Sequence, residues 1–129
     1  MHDRTRWTVT SLGVALAVLL AACTASSAGQ GQPSSATDAD HTITSRDLAF
    51  DVETLTIPAG SPFSLELTNL EAAPHNVAIY VDSSAAEEVF VGEVISKSSI
   101  VYQVPAVEPG SYFFRCDVHP DMDGTLVAG

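Results

Sequence analysis

The chain has 129 residues, a length typical of a single domain, and this length excludes a large enzyme with several sites. Its 16 acidic residues outnumber its five basic ones, for a formal net charge of −11. Nucleic-acid binding is excluded because it needs a patch of cations, and those beyond residue 22 are widely separated at Arg46, Lys97 and Arg115. A basic or neutral protein partner suits this charge better.

Residues 1–22 have the pattern of a secretory leader, with Arg4 and Arg6 ahead of an apolar run at 12–22. That run is too short to span a membrane, which needs about 20 helical residues. The segment Leu20-Ala21-Ala22-Cys23 resembles the bacterial lipobox, in which the leader is cut before the cysteine and the thiol is acylated. The resemblance implies an exported protein, lipid-anchored through Cys23 at the periplasmic or extracellular face of a membrane. An ordinary signal cut elsewhere, or a core helix, remains the alternative.

Residues 23–42 are small and polar and contain no large apolar side chain, which predicts a flexible linker after Cys23. His41, near the end of this segment, is expected to be a solvated linker residue. The globular domain is therefore expected to cover residues 43–129.

The globular part is predicted to be all-β, because short alternating runs of β-branched and aromatic residues recur between turn residues. A helical turn is expected within residues 83–88, and residues 89–91 fit neither pattern. Seven or eight short strands predict a Greek-key β-sandwich of two sheets. The predicted strands are 42–50, 54–57, 63–69, 76–81, 93–95, 99–103, 110–116 and 124–127.

Alternation of side chains along two of these strands predicts which residues face the core. Phe63, Leu65 and Leu67 are expected to be buried because polar residues separate them. In the strand that ends at Cys116, the charged Arg115 marks the outer face, so Cys116 is expected to point inward.

Three residues with metal-binding side chains, Cys116, His119 and Met122, lie within seven positions of the chain, and His75 lies about forty residues upstream. One thiolate, two imidazoles and a weak thioether form the ligand set of a blue-copper site. Zinc is the nearest competitor, but structural zinc sites do not normally recruit methionine. Each residue alone could equally be ordinary core or surface, so the joint spacing is what favours copper.

The segment from Tyr112 to Gly124 resembles the C-terminal copper loop of the cupredoxins, in particular the short Cys-x₂-His-x₂-Met loop of the amicyanin and plastocyanin group. Ile57-Pro58-Ala59-Gly60, Asn69 and Pro74-His75-Asn76-Val77 are similar to upstream segments of the same group, so the match covers roughly residues 50–127. The resemblance implies one type 1 copper, with His75, Cys116 and His119 as strong ligands and Met122 as the axial ligand. It also implies that Asn76 ties the two ligand-bearing segments together.

Three acidic residues, Asp117, Asp121 and Asp123, depart from the resemblance, because many relatives have an apolar docking patch around the exposed histidine. A blue-copper electron carrier, monomeric and exchanging electrons with a redox protein donor and acceptor, is the expected function. The main alternative is a copper carrier or buffer without a redox role, and a third is a sandwich used for adhesion.

Catalysis by this chain alone is not expected, so the protein is predicted not to be an enzyme. A second copper site would need more histidines than His41, the one that remains beyond the leader. A binuclear centre would need a second nearby cysteine, and a cysteine hydrolase would need a base outside the tight loop of Cys116 and His119.

Overall fold

The computed structural model describes residues 39–129; the predicted leader, Cys23 and most of the predicted linker lie outside them. None of residues 39–129 forms a helix that could span a membrane. This part of the chain forms nine strands: β1 (His41–Arg46), β2 (Ala49–Phe50), β3 (Thr54–Ile57), β4 (Phe63–Asn69), β5 (Ala78–Tyr80), β6 (Glu88–Val91), β7 (Ser99–Val104), β8 (Gly110–Arg115) and β9 (Asp123–Ala128).

The strands form two sheets, one in the order β2-β1-β4-β7 and the other in the order β3-β9-β8-β5-β6. Strand β1 pairs parallel with β4, and β3 pairs parallel with β9, so the chain crosses between the sheets rather than meandering through one. The remaining pairs are antiparallel. The all-β sandwich predicted from the sequence is confirmed, with nine strands instead of seven or eight.

The two sheets share an apolar core that contains the residues expected from the strand phase. Phe63, Leu65 and Leu67 are each at most 4% exposed. On β8 the inward-facing Phe114 is buried, and Cys116 beyond the strand end is fully buried. Burial of side chains of this size contributes roughly 1.5 to 3 kcal/mol each, so the core holds the strand ends of β4 and β8 in fixed positions.

The predicted continuous strand 42–50 is wrong, because the chain turns back on itself at Asp47 and Leu48. Both residues have positive φ, 54° and 57°, which is the geometry of a two-residue hairpin turn. Asp51 closes the hairpin, since its Oδ1 accepts the Thr44 amide at 2.7 Å. The sequence gives little sign of this turn, because leucine rarely adopts a left-handed conformation.

The predicted strand 93–95 is also wrong, and a strand occurs instead at β6. Here Phe90 packs against Tyr102 with ring centroids 5.6 Å apart, and this contact adds to the strand preference of Val89, Phe90 and Val91. Gly92 ends β6 where a Cβ atom would lie only 2.6 Å from the Tyr102 ring. Ser83 and Ser84 form a turn rather than the expected helical turn.

Strand β1 begins two residues before the expected start of the domain, so His41 is part of the sheet rather than a solvated linker residue. Its imidazole packs edge-on against Phe63, with ring centroids 5.7 Å apart. This contact explains why β1 begins earlier than the polar composition of residues 23–42 indicates.

Candidate metal centre

Two loops at one end of the sandwich bring the predicted ligands together. Residues 70–76 follow β4, and residues 116–122 follow β8. The Cys116 Sγ atom lies 3.7 Å from His75 Nδ1 and 3.9 Å from His119 Nδ1. The three donor atoms all lie within 4.8 Å of one another, and the His75 and Cys116 side chains are fully buried, whereas His119 is half-buried.

The loop after β8 folds into a tight return that places Met122 beside Cys116. The Cys116 amide donates to the Met122 carbonyl at 2.9 Å, and the Met122 amide donates to the His119 carbonyl at 2.9 Å. Met122 is 2% exposed. Gly124 then lets the chain enter β9, because a Cβ atom there would lie 2.4 Å from the Phe114 ring. These two backbone bonds thus close residues 116–122 into a loop in which Met122 is next to Cys116.

His75 is held from both its backbone and its ring. Its amide and carbonyl form a two-bond bridge with Ile95, each bond 2.9 Å long. On the ring, Nε2 lies 2.7 Å from Glu71 Oε1. Because Nδ1 faces the thiol sulfur, Nε2 carries the proton and donates it to this carboxylate. A partner of this kind fixes both the tautomer and the ring orientation of a metal-binding histidine.

Glu71 is in turn fixed by the turn between β1 and β2. The Leu48 amide donates to Glu71 Oε1 at 3.1 Å. This bond is the main reason that the pKa of Glu71 lies below its usual value, with the His75 ring adding to the effect. An ionised carboxylate therefore faces His75 before any metal arrives. Glu71 was not predicted from the sequence, where its only local signal is the four-residue spacing to His75.

Asn69, at the end of β4, organises the loop that carries Glu71 and His75. Its Nδ2 donates to the carbonyls of Ala73 at 2.8 Å and Ile95 at 2.9 Å, and its Oδ1 accepts the Glu71 amide at 2.9 Å. The side chain is 2% exposed, so these bonds form away from water. The Asn69 hydrogen bonds therefore fix the conformation of the loop that carries Glu71 and His75.

Asn76 forms hydrogen bonds between the two ligand-bearing segments. Its Oδ1 accepts the Asp117 amide at 2.8 Å, and its Nδ2 donates to the Gly92 carbonyl at 3.1 Å. Since Asn76 follows His75 and Asp117 follows Cys116, one side chain links the backbones next to two donors.

The donor set fits copper better than zinc. A buried thiol, two imidazoles and a buried thioether are soft or intermediate donors, which suit copper. A structural zinc site would use four cysteine or histidine ligands, and among residues 39–129 the donor cluster contains only His75, Cys116 and His119.

Comparison with known proteins identifies relatives of this chain. A family model described as a cupredoxin-like domain matches residues 13–128. Amicyanin-alpha of Methylorubrum extorquens is 35% identical over 80 residues, which are 62% of this chain and 64% of that protein. Amicyanin of Paracoccus versutus is 36% identical over 73 residues, which are 57% of this chain and 52% of that protein. The matched segments span less than two thirds of the length of either relative.

Solved structures give the same result for the fold. The crystal structure of amicyanin from Paracoccus versutus matches with a TM-score of 0.58 and 29% identity, covering 74% of this chain and 86% of that one. Reduced auracyanin from the photosynthetic bacterium Roseiflexus castenholzii matches with a TM-score of 0.62 and 20% identity, covering 69% of this chain and 95% of that one. The second likeness concerns the fold alone.

Proposed function

The chain belongs to the cupredoxin family, and we propose that it is a blue-copper protein that carries single electrons between redox proteins rather than an enzyme. The observation that carries this proposal is the buried convergence of Cys116, His75 and His119 within 4.8 Å, with Met122 closing the same loop. Cys116 Sγ and the two Nδ1 atoms would be the strong ligands, and the Met122 thioether the axial one. Copper in such a set cycles between its cupric and cuprous states by one electron.

Hydrogen bonds that hold the ligands in place support electron transfer over other copper chemistry. Asn69, Glu71 and Asn76 fix both loops without help from a metal. Ligands fixed in this way move little when the charge at the site changes, so each electron transfer needs little rearrangement. His119, the half-buried ligand, would be the route by which electrons leave.

The surface around His119 supports docking to a redox partner with both apolar and basic groups. Leu70, Val94 and Val118, in three segments at this end, are between 42% and 45% exposed. Asp121 and Asp123 in and beside the copper loop are also exposed. An apolar contact edged by carboxylates would therefore meet a partner with an apolar centre and a basic rim.

The first experiment titrates the purified chain with Cu²⁺ while recording the visible spectrum. We expect one equivalent of copper to bind and an intense visible band to appear. The band should disappear on reduction and return on reoxidation, at a single potential. Copper binding without this reversible band would support the copper carrier or buffer instead. Failure to bind copper would favour the third alternative, a β-sandwich used for adhesion.

The partner proposal is tested by the salt dependence of electron exchange with a basic cytochrome. Long-range attraction is screened over a Debye length of about 10 Å at 0.1 M salt, so the rate should fall as salt rises. The double variant Asp121→Asn, Asp123→Asn should show a shallower salt slope than a matched control, Glu87→Gln, Glu88→Gln, at the start of β6. Equal slopes in the two variants would exclude local attraction at the copper loop.

The proposed location is the outer face of a membrane, through export by residues 1–22 and acylation of Cys23. As a random coil, the 17 residues between Cys23 and β1 would have an end-to-end distance of roughly 21 to 25 Å, enough to let the domain dock on a membrane-bound partner. Cells grown with a tagged fatty acid should label the protein, and Cys23→Ser should remove the label whereas Cys116→Ser should keep it. Unlabelled wild-type protein in the soluble fraction would contradict the anchor.

A further inference from the structure

Beside the metal centre, on the outer face of the five-stranded sheet, lies a cluster formed by Tyr80, Arg115 and Asp117. Strand register pairs Tyr80 with Phe113 and Ala78 with Arg115, so Tyr80 and Arg115 share one face. The Arg115 guanidinium carbon lies 4.9 Å from the centre of the Tyr80 ring. Tyr80 is only 3% exposed, so its phenol needs a hydrogen-bond partner within the protein.

That partner is the Asp117 carboxylate, which gathers three donors. Its Oδ1 accepts the Tyr80 hydroxyl at 2.6 Å and Arg115 Nε at 3.1 Å, while its Oδ2 accepts Asn76 Nδ2 at 3.4 Å. The Arg115 guanidinium and the Asp117 carboxylate form a partly buried ion pair, with Nε and Oδ1 3.1 Å apart. The negative charge of Asp117 is therefore shared with Arg115 and with the Tyr80 hydroxyl.

Asp117 is also the residue at which the two ligand-bearing segments meet. It directly follows Cys116, and its amide donates to Asn76 Oδ1 at 2.8 Å, next to His75. Movement of Asp117 would thus shift the backbone that follows Cys116 and, through Asn76, the segment that carries His75. The Tyr80 hydroxyl is the shortest contact that resists such movement.

We propose that Asp117 is a positioning residue for the metal centre: its carboxylate, held by Tyr80 and Arg115, fixes Cys116 against the segment of His75 and sets the local charge at the metal. The proposal rests on the proposed copper function. A negative charge one residue from the thiolate favours the cupric state. The hydroxyl and the guanidinium reduce the field of that charge, so each of them favours the cuprous state.

Two isosteric variants should shift the reduction potential in opposite directions. Asp117→Asn should raise the potential because it removes the charge, and it should do so more than Asp121→Asn, a matched loss of charge in the same loop. Tyr80→Phe should lower the potential because the carboxylate loses a donor. Tyr112→Phe is its control, since that hydroxyl donates to the Glu108 carbonyl at the opposite end of β8.

The double variant Tyr80→Phe, Asp117→Asn tests whether the two residues act together. Once the charge is gone, Tyr80→Phe should no longer lower the potential, so the effects of the single variants should not add. Additive effects, or a higher potential in Tyr80→Phe, would overturn the proposal.

Hydrogen exchange of the metal-free protein tests the positioning role without copper. Loss of one hydrogen bond to a charged group should speed exchange of the Asp117 amide about tenfold in Tyr80→Phe and leave it unchanged in Tyr112→Phe. Unchanged exchange in Tyr80→Phe would refute the positioning role even if copper binds. Faster exchange in a chain that binds no copper would reject the proposed copper function while keeping the role of Asp117 in fixing the loop.

Discussion

The two ends of the sandwich are closed by different kinds of contact. At the metal end, three polar side chains, Asn69, His75 and Asn76, are at most 2% exposed, and each is hydrogen-bonded across a loop. At the opposite end, backbone groups meet directly, as in the bond from the Gly60 amide to the Val107 carbonyl at 2.8 Å. The side-chain bonds there, between Asp40 and Ser64 and from the Tyr112 hydroxyl to the Glu108 carbonyl, are exposed to water.

This difference identifies the metal end as the functional end of the sandwich. Burying a polar group costs free energy unless every hydrogen bond is replaced, so an apolar or backbone-closed end is easier to build. Here the buried side chains of Asn69, His75 and Asn76 form hydrogen bonds that hold the segments carrying Cys116 and His75. Four experiments test this difference between the two ends.

The largest effect on the fold is expected from Asn69→Ala, at the metal end of β4. It leaves the Glu71 amide and the Ala73 carbonyl without a partner in a partly buried site, and the Ile95 carbonyl keeps only the His75 amide, so the free energy of unfolding should fall by about 2 to 4 kcal/mol. Urea denaturation of the metal-free protein measures this loss. Ser64→Ala, at the opposite end of the same strand, is the matched control, and an equal loss there would contradict the distinction between the ends.

Glu71→Ala should weaken copper binding while leaving the fold largely intact, because the Glu71 side chain is 26% exposed. Loss of the partner of His75 Nε2 should lower copper affinity about 10- to 100-fold, measured by competition with a chelator. Glu71→Gln keeps a carbonyl oxygen to accept the proton on Nε2, and it should lose less affinity. An affinity unchanged in Glu71→Ala would show that the backbone bridge to Ile95 suffices.

Met122→Leu should keep copper bound and raise the reduction potential. The axial thioether is a weak, electron-rich donor, and its loss favours the cuprous state. Voltammetry of the copper-loaded variant measures the change. A lower potential would contradict the axial role, and loss of copper would show that Met122 holds the metal more strongly than expected.

The smallest effect is expected from Asp40 at the opposite end. Hydrogen bonds from the Ser64 amide and hydroxyl hold the pKa of Asp40 below its ordinary value of 3.8. A lowered pKa in the folded state stabilises the protein above the unfolded value, and this contribution disappears as the pH falls through the folded value. Asp40→Asn should therefore lower Tm slightly at about pH 7 and not at about pH 2.5. A Tm difference that persists in acid would refute this role for the charge.

The metal loop could be predicted from sequence because its chemistry is local. Cys116, His119 and Met122 lie within seven residues of the chain, and their side chains need only a short loop to meet. The alternation in β4 and β8 likewise predicted which residues are buried. His75 was the remaining upstream candidate, because distant segments can meet at one end of a sandwich, and its own segment also resembles known relatives.

The supporting residues could not be predicted, because their partners are distant in sequence. In an acidic chain, the four-residue spacing of Glu71 to His75 is too weak a signal to distinguish it from a solvated carboxylate, and Tyr80 is 37 residues from Asp117. The turn at Asp47 and Leu48 was missed because leucine there adopts positive φ against its own preference. Its amide then reaches Glu71, so this local error and the missed partner of His75 have one tertiary cause.

The most direct test of the account compares wild-type protein with Cys116→Ser after addition of one equivalent of Cu²⁺. The wild type should develop an intense visible band, and the variant should lack it because a hydroxyl cannot supply the soft thiolate donor. Circular dichroism of the variant should still show the β-sandwich, since the substitution changes one atom at the end of β8. The same visible band in both proteins would contradict the assignment of Cys116 as the ligand at the centre of the site.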